Sequence, residues 1–181
     1  MKMILARLDR ALLPLDRIAD ALLPSFARLV FAGVLLGYFW ASALTKFDGS
    51  PFSLRFGAYA QIFPKAVEAA GGNSDNLSFF HSAVVLLGSW AEILLPLLIA
   101  LGLLTRLAAL GMAGFILVQS LTDIFGHLAG PETIGRWFDR ASDALILDQR
   151  ALWMLLLAVL VLKGGGPLSL DRLLLRRQVS G

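Results

Sequence analysis

Four stretches of the chain are too apolar and too long to be the helices of a water-soluble domain. They run from about Phe26 to Thr45, Phe79 to Leu104, Leu107 to Phe125 and Ala144 to Lys163. Each approaches the roughly 20 residues that a helix needs to cross a hydrocarbon layer about 30 Å thick. Run length and the lack of two-residue alternation select helices over barrel strands, which are about ten residues long with polar lumen positions. The fold class is therefore all-α, a polytopic membrane four-helix bundle. Composition agrees: of 181 residues, 57% are hydrophobic and 16% charged, against about 25% charged in soluble domains. There is no cysteine, which excludes disulfides, thiolate metal sites, iron–sulfur ligation and CxxC redox chemistry within the chain.

The segments between the spans carry amphipathic patterns. Met1, Leu5, Leu8, Leu12, Leu15, Ile18 and Leu22 recur at helical spacing with charges opposite. This predicts an amphipathic helix over 1–24, kinked at Pro14, lying on the membrane or docked on the bundle or a partner. The transmembrane domain is expected over 25–167 and a basic amphipathic tail over 168–181. A helical stretch from Phe52 to Ala70, broken at Pro64, is predicted to cover the outer mouth of the bundle. Glu132 to Arg140 reads as an interfacial helix with its aromatics at headgroup depth. Spans two and three are separated only by Thr105-Arg106, which predicts a tight antiparallel hairpin.

Lys2, Arg7, Arg10, Arg17, Arg106, Lys163, Arg172, Arg176 and Arg177 fall on one side of four spans, with Arg28 just inside it. Lys46, Arg55, Lys65, Arg136, Arg140 and Arg150 fall on the other, in longer loops offset by acids. The positive-inside rule then places both termini on the cytoplasmic side of the membrane. The surplus of +3 is explained by this orientation, and no basic face with interleaved aromatics points to nucleic acid.

Polar residues inside the spans carry the functional signal. His81 lies near the outer edge of span two, and Glu92, eleven residues on, lies near mid-membrane on almost the same face. Gln119, Asp123 and His127 follow at i, i+4 and i+8 near the outer end of span three. Asp148 opens span four and Lys46 closes span one on the same side. These groups are expected to converge on the outer third of the bundle above Glu92, facing inward because a charge facing lipid costs roughly 2.5–3.5 kcal/mol. Lys46, Arg150 and Arg28 read more simply as snorkelling ends, with Arg106 serving topology in the turn and able to reach lipid phosphate. Arg28 and Lys46 belong near opposite membrane edges, neither placed to neutralise Glu92 directly, which is expected to be protonated or partnered. Gly33, Gly37 and Ala41 let a neighbouring helix approach, either within the bundle or across a homo-oligomer seam.

The two histidines lie on different helices without H-x-x-x-H or E-x-x-H spacing, so neither a metal nor haem is favoured. There is no Walker loop and no GxGxxG after a strand, and Gly164 to Gly166 ends a helix.

Several of these residues form a pattern that resembles the DoxX family of small four-helix bacterial membrane proteins. It comprises Arg28, Gly33/Gly37 and Lys46; Glu92 followed by Leu101-Gly102-Leu103-Leu104-Thr105-Arg106 and Ala108-Ala109; His127; and Gly165-Gly166-Pro167-Leu168-Ser169-Leu170-Asp171. The outer loop after Ile62, the 126–148 segment and the N-terminal extension depart from the common pattern. The resemblance implies a multi-pass subunit of the bacterial inner membrane whose relatives, such as the membrane part of thiosulfate:quinone oxidoreductase, work beside a redox partner and the quinone pool. The leading expectation is a subunit accessory to a membrane oxidoreductase, with Glu92, Asp123 and His127 meeting a quinone headgroup and His81 and Asp148 nearby. The alternatives are a small transporter of protons, metal ions or a solute, and a ligand-free assembly protein.

Overall fold

The computed structural model describes residues 2–179, with side chains at Leu15 and 18–175. Helix α1 (Lys2–Phe31) continues through a π-helical turn (Ala32–Leu36) into α2 (Gly37–Leu44). The boundary expected near residue 24 thus falls inside one helix that includes both Pro14 and Pro24; the amphipathic face expected over 1–14 lies outside the described side chains. A two-stranded antiparallel ribbon, β1 (Phe47–Asp48) and β2 (Ser50–Leu54), turns at Gly49, whose φ of +66° an L side chain rarely adopts. Then come α3 (Phe56–Ile62) and α4 (Pro64–Ala69), split at Pro64 as expected. The helix predicted from Phe52 starts at Phe56 instead, because residues through Leu54 are committed to the ribbon.

Helix α5 (Phe79–Leu101) leads into α6 (Thr105–Leu121), which extends through a second π turn (Thr122–Gly126). The turn between them is Gly102-Leu103-Leu104, with Gly102 and Leu104 left-handed, so Thr105 and Arg106 open α6 rather than forming the turn. Helix α7 (Pro131–Ile134) stops at Gly135, φ +79°, well short of the Arg140 expected. The aromatics beyond it divide: the Trp137 indole N–H donates to Leu147 O, while Phe138 is fully exposed. A third π turn (Leu145–Gln149) leads into α8 (Arg150–Lys163), and α9 (Leu170–Val179) closes the described chain.

Among the described residues, four helical segments, Ile18–Leu44, Phe79–Leu101, Thr105–Gly126 and Leu145–Lys163, are long and apolar enough to cross a membrane. The surface confirms the environment. Large apolar side chains such as Phe26, Leu29, Leu87, Leu107, Leu155 and Leu162 point outward, whereas Lys46, Glu92 and Arg150 are each less than 5% exposed. A soluble domain would not present so much contiguous apolar surface. The core is built from Phe31, Leu35 and Phe39 of the first span, Ile99 of α5, Ala108, Ala109, Met112 and Ile116 of α6, and Leu157 and Leu160 of α8. Small Ala108 and Ala109 stand in the core that α6 shares with α8. Gly33 and Gly37 lie about half a turn from Leu35 and Phe39, so they face outward, and a side chain added at either would meet open space. Packing within the bundle is therefore not their role.

One end of the bundle gathers the start of the first span, the α5–α6 turn and α9, and is called here the terminal end; the ribbon, α3, α4 and α7 lie at the loop end. At the terminal end Asp171 accepts hydrogen bonds from Leu104 N (2.7 Å), Thr105 N (2.9 Å) and Thr105 Oγ1 (2.7 Å), capping α6. Its own N–H donates to Gly102 O at 2.9 Å. Burial raises the Asp171 pKa, but these bonds and the nearby Arg28 charge outweigh it and hold the carboxyl below its ordinary range. Arg28 donates from Nη1 to Gly165 O at 2.8 Å and from Nη2 to Leu168 O at 2.9 Å. Rather than snorkelling, it clamps the segment after α8. Gly102 is obligatory: a Cβ there would collide with Arg28 Nη1 and come within 2.9 Å of Ser169 Cα.

Candidate functional site

The first span ends beside the middle of α5, not beside its start. The Trp40 indole N–H donates to Ile93 O, and the Trp90 indole N–H donates to Pro51 O, each at 3.2 Å; Phe47 and Phe52 pack on the Trp90 ring. This stagger decides where Lys46 goes. Its stem folds back along α2, and Nζ donates to Ser42 O (3.2 Å), Ser42 Oγ (2.9 Å) and Glu92 Oε2 (2.7 Å). The expectation that Lys46 stays at the membrane edge, away from Glu92, is corrected: both side chains are at least 94% buried and form a direct ion pair. Glu92 is partnered, and all three ammonium protons are used.

A second ion pair lies toward the loop end. Arg150 Nη2 contacts Asp123 Oδ2 at 2.7 Å, and Nη1 donates to Ser120 Oγ at 3.0 Å. The π turns at Thr122–Gly126 and Leu145–Gln149 shape the two helix ends that carry this pair. Arg150, expected to reach outer water, is only 3% exposed. The reason is that the span begins at Leu145, which puts Arg150 one turn inside it, where a carboxylate and a hydroxyl replace water.

These pairs flank a cavity of about 600 Å³ between α5 and α6. Its polar wall is Ser42, Lys46, Glu92, Gln119, Asp123 and His127. Its apolar wall includes Val84, Leu95 and Phe115, and Gln61 and Ile62 of α3 form part of its rim. The spacing argument for Gln119, Asp123 and His127 thus corresponds to three residues on one wall. His127 Nε2 lies 2.9 Å from Gln61 O, and since a carbonyl only accepts, Nε2 carries the proton and Nδ1 is open. Gln119 Oε1 is buried with no partner among the described residues. Leu87 and Val118, both strongly exposed, also line the cavity, which therefore opens sideways along the α5–α6 seam. Gly88, Gly111 and Gly114 keep that seam open, and a side chain at Gly114 would meet no atom within 4 Å.

Two expected members are elsewhere. His81 accepts from or donates to Ser78 Oγ through Nδ1 at 2.8 Å and stands edge-on to Phe63. Asp148 accepts from Ala144 N at 3.0 Å, capping its own helix end. Residues that spacing did not single out are Ser42, Gln61, Gly111 and Gly114.

No curated protein and no solved structure matches this chain. The family model described as DoxX matches residues 23–122, which takes in Arg28, Lys46, Glu92, Arg106 and Gln119. That is more than half of the chain, and this multi-pass membrane protein belongs to the DoxX family.

Proposed function

We propose that the chain is a quinol-binding membrane subunit accessory to an oxidoreductase, with its terminal end in the cytoplasm. The observation that carries this is the inventory of the cavity between α5 and α6. Its charged groups already neutralise one another, Glu92 with Lys46 and Asp123 with Arg150. What it offers a ligand is mainly acceptors: the unpartnered Gln119 Oε1, the second oxygens of Glu92 and Asp123, and an open His127 Nδ1. A neutral headgroup bearing hydroxyl donors complements such a wall without disturbing the charge balance. Hydroquinones have that chemistry, and their apolar tails suit a cavity open to lipid along a glycine-lined seam. Oxidation of a bound quinol by the partner protein releases protons together with electrons, and the open Nδ1 of His127 stands in the cavity wall as an acceptor for one of them. A cation carrier fits less well, since the two carboxylates each have their counter-charge.

The test is thermal unfolding and tryptophan fluorescence of purified protein titrated with decyl-ubiquinol and with the oxidised quinone. Quinol is expected to stabilise, more than quinone, and Gly114→Leu is expected to abolish the effect while leaving the unliganded protein as stable as before. No response to either form removes the reading. Co-purification from native membranes with a redox protein supports the accessory role; isolation without one argues against it. Orientation is read from single cysteines in this cysteine-free chain. Those near residues 50, 73 and 135 are expected to react with an impermeant maleimide in intact cells, and those near 8 and 175 to be protected.

A further inference from the structure

A second cavity, of about 850 Å³, lies at the terminal end, remote from the quinol site. Three cations line it: Arg106 from the first turn of α6, Lys163 from the last turn of α8, and Arg172 from α9. Two acids share the wall, and both are engaged. Asp171 spends its oxygens capping α6, and Asp20 Oδ1 accepts from Lys163 Nζ at 2.7 Å. Among the described residues Arg106 and Arg172 make no ion pair. The clasp of Arg28 on Gly165 and Leu168 adds another positive charge close behind the glycine segment.

Charge alone would suit any phosphate, but the rest of the wall is selective. Leu103, Leu107, Leu174 and Leu175 border the same cavity, and Leu107 and Leu175 are each more than 60% exposed. The cavity also lies where the spans leave the hydrocarbon, so its cations stand at headgroup depth. A ligand that meets both halves has a phosphate joined to apolar chains. Guanidinium groups suit that phosphate because their planar fork binds two oxygens at once.

We propose that this cavity holds an anionic phospholipid, with Arg106 and Arg172 on the phosphate and the acyl chains running past Leu107 and the leucines of α9. Lys163 contributes when the headgroup competes with Asp20. The bound lipid joins α6, α8 and α9, so it staples the carboxy-terminal helix to the membrane surface of the bundle. This inference is independent of what occupies the cavity between α5 and α6.

The experiment is native mass spectrometry of the full chain released from nanodiscs containing phosphatidylglycerol and phosphatidylcholine in equal amounts. Retention of phosphatidylglycerol over phosphatidylcholine is expected. The double variant R106Q/R172Q is expected to bind phosphatidylglycerol about 30-fold more weakly, while R136Q/R140Q, with the same change in net charge in the 126–148 segment, leaves retention unchanged. Equal retention of both lipids, or equal loss in both variants, overturns the site. If R106Q/R172Q does not insert, the parent protein is titrated with soluble dihexanoyl phosphatidylglycerol and with inorganic phosphate. Stabilisation by the lipid alone supports the proposal. Equal stabilisation by inorganic phosphate assigns the site to free phosphate and overturns the lipid.

Discussion

The two ends of this bundle are held by different chemistry. At the terminal end the chain closes on itself with hydrogen bonds to the backbone: Asp171 caps α6, Arg28 grips two carbonyls, and Gly102 leaves room for both. Toward the loop end, one buried ion pair and one that is half-buried at Asp123 flank a cavity whose Gln119 Oε1 has no partner among the described residues. Backbone carbonyls and amides are present whatever the sequence, so a clasp made from them fixes one geometry. Buried ion pairs stabilise little by themselves, because desolvation offsets most of the attraction. They do leave polar groups at a depth where lipid would otherwise exclude them. One end is fixed by contacts to the backbone, and the other holds charged side chains beside a cavity.

The largest expected effect comes from halving an ion pair. Lys46→Met leaves Glu92 buried without its cation, and is expected to lower stability by about 3–5 kcal/mol, as breaking such pairs does. The double variant K46M/E92Q is expected to recover most of that loss. Thermal unfolding of K46M, E92Q and the double variant checks both statements, and additive losses would show that the pair is not a coupled unit. Next is Gly102→Val, which is expected to cost about 3 kcal/mol from left-handed strain and collision with the clasp. It should raise hydrogen exchange at Leu104 and Thr105 while leaving quinol response unchanged; a loss of quinol response with an intact clasp would erase the distinction between the ends.

Acid separates the ends more gently. Because the folded state holds the Asp171 pKa below its ordinary value, the stability it contributes is complete above the unfolded pKa and is lost as pH falls through the folded one. Protection of the Leu104 and Thr105 amides, relative to free amides at the same pH, is therefore expected to fall below about pH 4, and Asp171→Asn is expected to bring that loss of protection to neutral pH. The smallest effect on stability is expected from Gly114→Leu, within about 0.5 kcal/mol of the parent, although on the proposed function it fills the seam through which the quinol would enter.

Much of the bundle is legible in the sequence, because apolar run length and helical spacing follow directly from the hydrocarbon solvent. Gln119, Asp123 and His127 sharing a wall is an example. Spacing names a face but does not say which way it looks, and Gly33 and Gly37 turn outward for that reason. Nor does it give the relative heights of helices. Lys46 and Glu92 meet because the first span stops beside Trp90 and a lysine stem folds back, and neither fact has a local signature. Arg150 is hidden from a hydropathy argument by the same token: its partners, Asp123 and Ser120, come from another helix.

The π turn at Ala32–Leu36 lies on the helix between Arg28 and Lys46, and so between the clasp and the cavity. An ordinary helix advances about 100° per residue, whereas a π turn accommodates one residue more per turn. The bulge therefore sets the angular phase between the two side chains, much as a keyway fixes two cams on one shaft. Deleting a single residue there would turn one of them by about 100° relative to the other. The helix could then keep its grip on Gly165 or its pairing with Glu92, but not both, and an insertion elsewhere along the same shaft would have to restore the phase.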